Sequence, residues 1–467
     1  MECTSSFMAL LCELRGVFTQ PSFQIFLCLM TGWVLSHRRR FITELIWSSG
    51  STHRGHHSRY HNFFSKSTWS LDKLSCTLAK LLVRVFVPRG IIELAVDDTL
   101  CRKRGLTVYG TGMHHDPLIS SRAKAPVSWG HDWVVLTLRL PFPFWASTKV
   151  WSLPIAFRLY RNRQGLTKGQ KKAKRSRQGK RGRKARKSQK HPPDPNHRTR
   201  PELAVELITM VAGWFPDRQF GVSGDSAYGG ASVLQKLPAN VDLISHVHPK
   251  GALYEPAGPP APGQRGPRPK KGRRLPGMKE WANDPTLPWQ TLVFDQFGLH
   301  ATLQVKTQQA LYYKAGKDRL LTIVLVHDVL GQRPDQMFYC TRLDWTARQI
   351  LSTYAARGSI EVTFENGKQL LGFEDPANRK EKAVRRTAPV ALVLYSLIVL
   401  WFHQEGHRHL QFPDRPWYRR KREPSFADLL TTLRRESWRE KIRGLPLPSR
   451  LVEKCLAPIV EFFSLAG

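Results

Sequence analysis

The sequence predicts an α/β protein: a mixed sheet carrying helices, preceded by a helical N-terminal region. Three observations carry this. Apolar runs of strand length occur at 90–100, 133–140 and 150–160. Apolar residues recur at three-to-four spacing through the first ninety residues and again after residue 200. A composition that is 41% hydrophobic and 10% aromatic can bury a real core, which excludes global disorder. A length of 467 residues allows two or three domains, or one domain with large insertions.

Along the chain, "LSHRRRFITELIWSSG" and "RYHNFFSKSTWSLDKLSCTLAKLLVRVF" read as helices with Arg and His between the apolar positions. They make 1–88 either a helix-turn-helix-like DNA-binding unit or a basic bundle packed on the main domain. "GIIELAVDDTL" (90–100), "WVVLTLRL" (133–140) and "VWSLPIAFRLY" (150–160) predict an antiparallel meander. Arg161 to Lys190 then holds fifteen Lys/Arg and no acid, so 161–200 is expected to be a disordered basic loop touching nucleic-acid backbone without reading sequence. "PELAVELITMVAGWF" predicts a helix with Pro and acids in its first turn, and "RQFGVSGDSAYGG" a strand, an Asp and a glycine-rich helix entry. Residues 251–287 read as a Pro/Gly-rich linker or exposed loop, and 291–329 as strands of a small β insertion. Helices follow from 340, and 406–467 reads as a basic tail rich in Arg and Trp. The expected divisions are therefore 1–88, 89–245, 246–335, 336–405 and 406–467.

A formal charge of +37 calls for a polyanionic partner, because self-repulsion on that scale opposes compaction. Nucleic acid is the first candidate, since neutralising phosphates releases counterions; an acidic membrane or another polyanion is the alternative. The apolar runs 23–35 and 388–402 fall short of the roughly 18–20 residues a bilayer needs and are expected to be buried helices. The start, "MECTSSFMALLCELRG", has an acid at position 2 and no clear cleavage site, so no signal peptide is expected. Seven scattered cysteines without a CxxC predict reduced thiols in a cytosolic, nucleoid-associated protein.

In so basic a chain the anomalies are acids at element ends: Asp97 and Asp98, Asp225, and Glu361. Three carboxylates from separate elements suit two hard cations, Mg²⁺ or Mn²⁺, clamping a phosphodiester. Any one Asp alone reads more simply as a cap or turn residue. "YAARGSIEVTFENGK" (354–368) adds the cations. At about 100° per residue, Tyr354, Arg357, Glu361 and Lys368 fall within an arc of about 60° on a helix. Read as a strand, the same residues would split between two faces. The shared face predicts helix, although Gly358, Gly367 and the β-branched residues have poor helix propensity. An i,i+4 salt bridge on a solvated face is the plainer explanation of Arg357 and Glu361.

The spacing Tyr-x2-Arg-x3-Glu-x6-Lys resembles the YREK signature of DDE transposases in the insertion-sequence-four clan. "LAVDDT" looks like that clan's first-aspartate segment, "GVSGDSAYGG" like its second, and "IEVTFENGKQLLG" before a long apolar helix like its C-terminal signature. "RYHNFFSKSTWSLDKL" and "VDDT" look most like the seven-hundred-and-one group, over residues 35 to 405. The resemblance implies an RNase-H-like mixed sheet core of five strands with a β-rich insertion between the second Asp and the Glu. It also implies a two-metal (Mg²⁺ or Mn²⁺) enzyme cutting transposon ends and joining them to target double-stranded DNA as a homodimer.

Carried over by residue, Asp225 and Glu361 are catalytic metal ligands. The first ligand is Asp98, with Asp97 the alternative, because adjacent strand residues face opposite ways. Tyr354, Arg357 and Lys368 would grip phosphates, and Trp289 is the candidate platform for a flipped base. His114, His115 and His131 receive no role and are expected to be structural or at the surface. Two competing readings lack the chemistry: a repurposed basic DNA-binding protein descended from a transposase, and a membrane-associated basic protein.

Overall fold

A strand buried on both faces need not alternate, and Ile92–Arg102 opens as an apolar run that becomes β1, inside a ten-stranded sheet. The structure is a computed structural model and describes residues 3–121, 124–162, 197–259, 269–296, 299–331, 333–412, 421–444 and 450–465. The expected basic loop therefore lies almost wholly outside the described residues. After β1 come β2 (Gly112–His115), β3 (Val127–Pro141) and β4 (Val150–Tyr160). Strand β3 is antiparallel to both β1 and β4, which makes the expected meander, with β2 as an additional short edge strand on β3. On the other side of β1, β5 (Phe220–Gly224) and β6 (Val241–His246) run parallel to it. Three antiparallel strands followed by two parallel ones are consistent with an RNase-H-like core.

The β-rich stretch after residue 289 departs from expectation. Its strands β7 (Gln290–Gln296), β8 (Leu299–Leu311), β9 (Leu320–Asp328) and β10 (Gln336–Cys340) form no separate unit. Strand β10 pairs antiparallel with β6 and carries β9, β8 and β7 outward, so the core sheet simply continues. Unpaired edge N–H and C=O groups on β6 explain the docking: a neighbouring strand satisfies them. "ALYYKAG", expected as a strand, ends its strand at Leu311 and closes into a helical turn at Tyr313–Gly316. Trp289 packs its indole on the Lys306 ammonium (4.7 Å) and beside His327 (5.7 Å).

Helices cover both faces. The N-terminal region folds as α1 (Ser5–Cys12), α2 (Gln20–Leu35), α3 (Ile42–Ser48), α4 (Ser58–Ser65) and α5 (Leu71–Phe86). Next come α6 (Arg200–Trp214), the short α7 (Ala231–Leu234), α8 (Met278–Ala282) and α9 (Tyr313–Gly316), then α10 (Ala347–Ala355) and α11 (Ser359–Leu371). The last three are α12 (Glu381–Gln404), α13 (Phe426–Arg443) and α14 (Arg450–Ser464). Helix α6 starts where Thr199 and Glu202 close a capping box with Pro in the first turn.

Helix α12 is long and apolar enough to cross a membrane, yet 94% of its apolar window is buried within the protein. It lies on β4, where Ser396 Oγ donates to the Pro154 carbonyl (2.9 Å). Its Arg386 guanidinium donates to the carbonyls of Phe64 and Ser67 (3.3 and 2.8 Å). The helices of 1–88 and of 406–467 wrap this element and share one hydrophobic cluster with the sheet, from Cys3 to Leu433. Neither stretch stands apart, contrary to the boundaries expected at 88 and 406. The C-terminal residues also fold back rather than trail. Buried Arg434 donates to the carbonyls of Val34 (2.6 Å) and Ser36 (2.7 Å), and Arg435 grips Glu461 through two bonds of 2.7 Å. Arginines that read as a basic surface are internal connectors.

The α2–α3 contact leaves no room at Gly32, where a Cβ would sit 2.0 Å from the Leu45 carbonyl oxygen. Gly32→Ala is expected to cost about 1–3 kcal/mol by overpacking and to lower the thermal midpoint. Gly213→Ala, on α6 with nothing within 4 Å, is expected to be neutral or stabilising by up to about 1 kcal/mol. Parallel thermal melts of the two variants check this.

Candidate active site

The acids of the core meet where one ladder stops. Strand β1 runs on to Arg102, so Asp97 and Asp98 lie within it and not at its end as expected; the β1–β5 pairing stops at Val96↔Gly224, one residue before Asp97 and Asp225. Residues next in register on paired parallel strands lie side by side. Asp225 then caps a short 3₁₀ turn, Ser226–Tyr228, its Oδ1 accepting the Ala227 N–H at 2.9 Å.

The segment 354–368 is helical, as the facing argument requires, but not as one rod. Helix α10 begins with a Thr346/Gln349 capping box, a 3₁₀ turn spans Ala356–Gly358, and α11 runs from Ser359 to a left-handed Gly372 (φ 63°). The glycine that argued against a helix sits at the joint. Arg357 lies in that joint and reaches both ways. Its Nη1 donates to Asp97 Oδ2 (2.6 Å), and its Nη2 lies 3.6 Å from Glu361 Oε1. Tyr354 packs its ring on His246 (4.7 Å) and Phe338 (4.8 Å), with the Arg357 guanidinium 5.5 Å from the ring centre. Glu361 itself is 66% exposed.

Asp97 and Asp98 face opposite ways, and this separates them chemically. Asp97 faces the Arg357 joint, and burial, with the like charges of Asp225 and Asp98 beside it, pushes its carboxyl up to about 7 against the pull of Arg357. Asp98 turns to the other face. There it accepts the Tyr228 hydroxyl hydrogen bond (2.6 Å) and lies 3.3 Å from Arg200 Nε. Burial and neighbouring Asp132 push Asp98 up to about 6. Arg200 also pairs with Asp132, whose carboxylate lies 3.5 Å from His114 Nδ1. Burial, then Arg200, holds His114 down at about 4, so its ring stays neutral near pH 7. His131 is likewise held at about 4 by burial, with Nε2 2.8 Å from the Tyr109 carbonyl oxygen.

The structure therefore gathers Asp97, Asp225, Tyr354, Arg357 and Glu361, and turns Asp98 away from Arg357 and Glu361. Lys368, expected to grip a phosphate, instead donates to the Leu100 carbonyl (2.7 Å) and pairs with Glu374 (3.5 Å), fastening α11 to β1. The sequence reading passed over Tyr228, Arg200 and Asp132. A charged residue inside the apolar run "WGHDWVVLTL" was the available signal for Asp132.

Among the described residues, no three His, Cys, Asp or Glu side chains approach closely enough to form a metal-binding cluster. The chemistry of the donors nevertheless fits a hard cation. Asp97 and Glu361 both reach the Arg357 guanidinium, and their carboxylate oxygens are the donors a hard cation prefers.

Carboxylates from β1, the β5 turn and α11 are thus brought to one side of a mixed α/β fold. Residues 13–317, more than half of the chain, match the family model described as DDE superfamily endonuclease, and the chain belongs to that family. The superfamily cleaves DNA with divalent metals. The matched stretch includes Asp97, Asp98 and Asp225 and ends before Glu361. A search of curated proteins found no match.

The Asp97 shift has a sign that can be measured. A carboxyl raised to about 7 in the folded state, against about 3.9 unfolded, makes the folded protein hold a proton longer, so its contribution falls as pH rises through that window. His114 and His131 act oppositely, so the test is a difference. In metal-free buffer, the melting point of wild type relative to Asp97→Asn is expected to fall between pH 4 and 8. A constant difference contradicts the assignment.

Proposed function

We propose that this chain is a transposase of the insertion-sequence-four clan, near its seven-hundred-and-one group, that cuts the ends of its element and joins them to target DNA. The observation that carries the reading is Arg357 holding Asp97 and Glu361 together while Asp225 projects from the adjoining strand end. This couples the YREK spacing to the two aspartate segments. Asp97, rather than the expected Asp98, is the first metal-binding carboxylate in this reading, because its side chain is the one that faces Arg357 and Glu361.

Asp97, Asp225 and Glu361 would hold Mg²⁺ or Mn²⁺, which supplies charge neutralisation of the phosphodiester and acidity to an attacking hydroxyl. Water adds to the scissile phosphorus, the P–O3′ bond breaks, and the proton of the water passes to solvent through the carboxylates. The 3′-hydroxyl released on the element end then attacks a phosphodiester of target DNA, forming one P–O bond and breaking another. Arg357 keeps the acidic residues from repelling one another before substrate arrives. With its guanidinium beside the site, it also offers donors to a non-bridging phosphate oxygen. Tyr354 and its aromatic neighbours fix the joint that aims Arg357, and Lys368 fixes the far end of α11. Two ends must be joined, so a homodimer on DNA is expected. The basic stretch 161–190 would add backbone contacts.

Purified protein, DNA carrying the element's terminal repeats and Mn²⁺ test this. Wild type is expected to nick at the repeat boundary. Asp97→Asn, Asp225→Asn and Glu361→Gln are each expected to lose at least about a hundredfold in rate, roughly 2.7 kcal/mol of barrier, while still binding the DNA. Binding without nicking by wild type would leave the repurposed DNA-binding protein as the better reading.

A further inference from the structure

Asp98 takes no part in the site just described, yet it is a largely buried carboxylate with a short hydrogen bond. We propose that Asp98 is a positioning residue for Asp225, acting through the hydroxyl of Tyr228. The proposal rests on the reading of Asp97, Asp225 and Glu361 as the metal-binding set.

Backbone pairing does not hold Asp225. The β1–β5 ladder ends at Val96↔Gly224, and the β5–β6 ladder at Ser223↔Ile244. From there the chain enters the 3₁₀ turn, which side chains must fix. Three do so. Ser245 Oγ donates to the Asp225 carbonyl (2.7 Å), the Tyr339 hydroxyl donates to the Gly229 carbonyl (2.9 Å), and the Tyr228 hydroxyl donates to Asp98 Oδ1 (2.6 Å). The first two tie the turn to β6 and β10. The Tyr228 bond ties it to β1, the strand that carries Asp97, and so sets the spacing between the two aspartates.

Local packing agrees. Tyr228 is fully buried, and its N–H closes the turn on the Asp225 carbonyl at 3.0 Å. Gly224 makes room for it, since a Cβ there would lie 2.9 Å from Tyr228 Cβ and 3.2 Å from Val96 Cγ1. The acceptor is anchored in turn. Arg200, at the start of α6, reaches Asp98 at 3.3 Å, pairs with Asp132 and lies over the Tyr160 ring at 4.6 Å. A rigid line thus runs from α6 through Asp98 and Tyr228 to Asp225. Consecutive aspartates then have two tasks: Asp97 faces the ion, and Asp98, on the opposite face, aligns the second ligand. Partners that orient a ligand from behind in this way typically contribute ten- to a hundredfold in metal affinity.

The test uses the full-length chain and Mn²⁺ alone, with affinity read by paramagnetic titration, beside melting temperature and DNA affinity in metal-free buffer. Tyr228→Phe removes the hydroxyl and keeps the ring. It is expected to weaken Mn²⁺ binding about tenfold with metal-free DNA affinity unchanged. Asp98→Ala is expected to do the same, and Asp98→Asn, whose amide oxygen still accepts the bond, to restore affinity to within about threefold of wild type. Mn²⁺ affinity unchanged in Tyr228→Phe overturns the proposal. So does loss in Asp98→Asn as complete as in Asp225→Asn, which would make Asp98 a ligand. If Tyr228→Phe does not fold, the Asp98→Ala and Asp98→Asn pair decides by the same criterion. Wild type that binds no Mn²⁺ overturns the metal-site reading itself, and is distinguished from failure of the positioning role by the wild-type titration.

Discussion

Arg357 is the charge on which the arrangement of acids depends. Carboxylates brought together beside the interior strand β1 repel, and burial raises the cost of ionising Asp97. A guanidinium in the joint between α10 and α11 offsets part of this, with one nitrogen on Asp97 and the other toward Glu361. The joint is a 3₁₀ turn ending at Gly358 rather than continuous helix, and from it Arg357 reaches Asp97 on β1 while α11 continues beyond. Lys368 pins that helix to the Leu100 carbonyl, so β1 and α11 are held at two points along their length.

The sheet explains why the site needs so large a chain. Strand β1 and the turn after β5 carry Asp97 and Asp225 at neighbouring register positions, and β10 to β7 extend the same sheet away from β6. Support beneath comes from α12, whose apolar length is covered by β4 on one side and by the N- and C-terminal helices elsewhere. A helix of that composition would be insoluble alone; here it is the common core of segments hundreds of residues apart in sequence.

The net charge of +37 also changes meaning once the fold is known. Part of it is internal. Arg139 pairs with Glu93, Arg158 with Asp72 and Glu206, and Arg386 and Arg434 cap backbone carbonyls of neighbouring elements. Buried guanidiniums with several acceptors act as cross-links, because breaking one leaves an uncompensated charge. The sequence alone does not separate these internal cations from those at the surface, because both count equally toward the net charge.

By itself the sequence determined what depends on local periodicity: the meander, the helix before β5, the buried character of 23–35 and 388–402, and the helical character of 354–368. Those signals are carried within single segments, where 2.0- and 3.6-residue periods apply. Only the tertiary structure decided which of Asp97 and Asp98 meets Arg357, since alternation says they differ but not which face carries the partner helix. The same limit explains why β7 to β10 joined the main sheet and why the arginines of 434–435 turned inward: edge pairing and burial depend on segments distant in sequence. The quiet residues Tyr228, Arg200 and Asp132 became visible for that reason too, as each is defined by what it touches across the sheet rather than by any spacing along the chain.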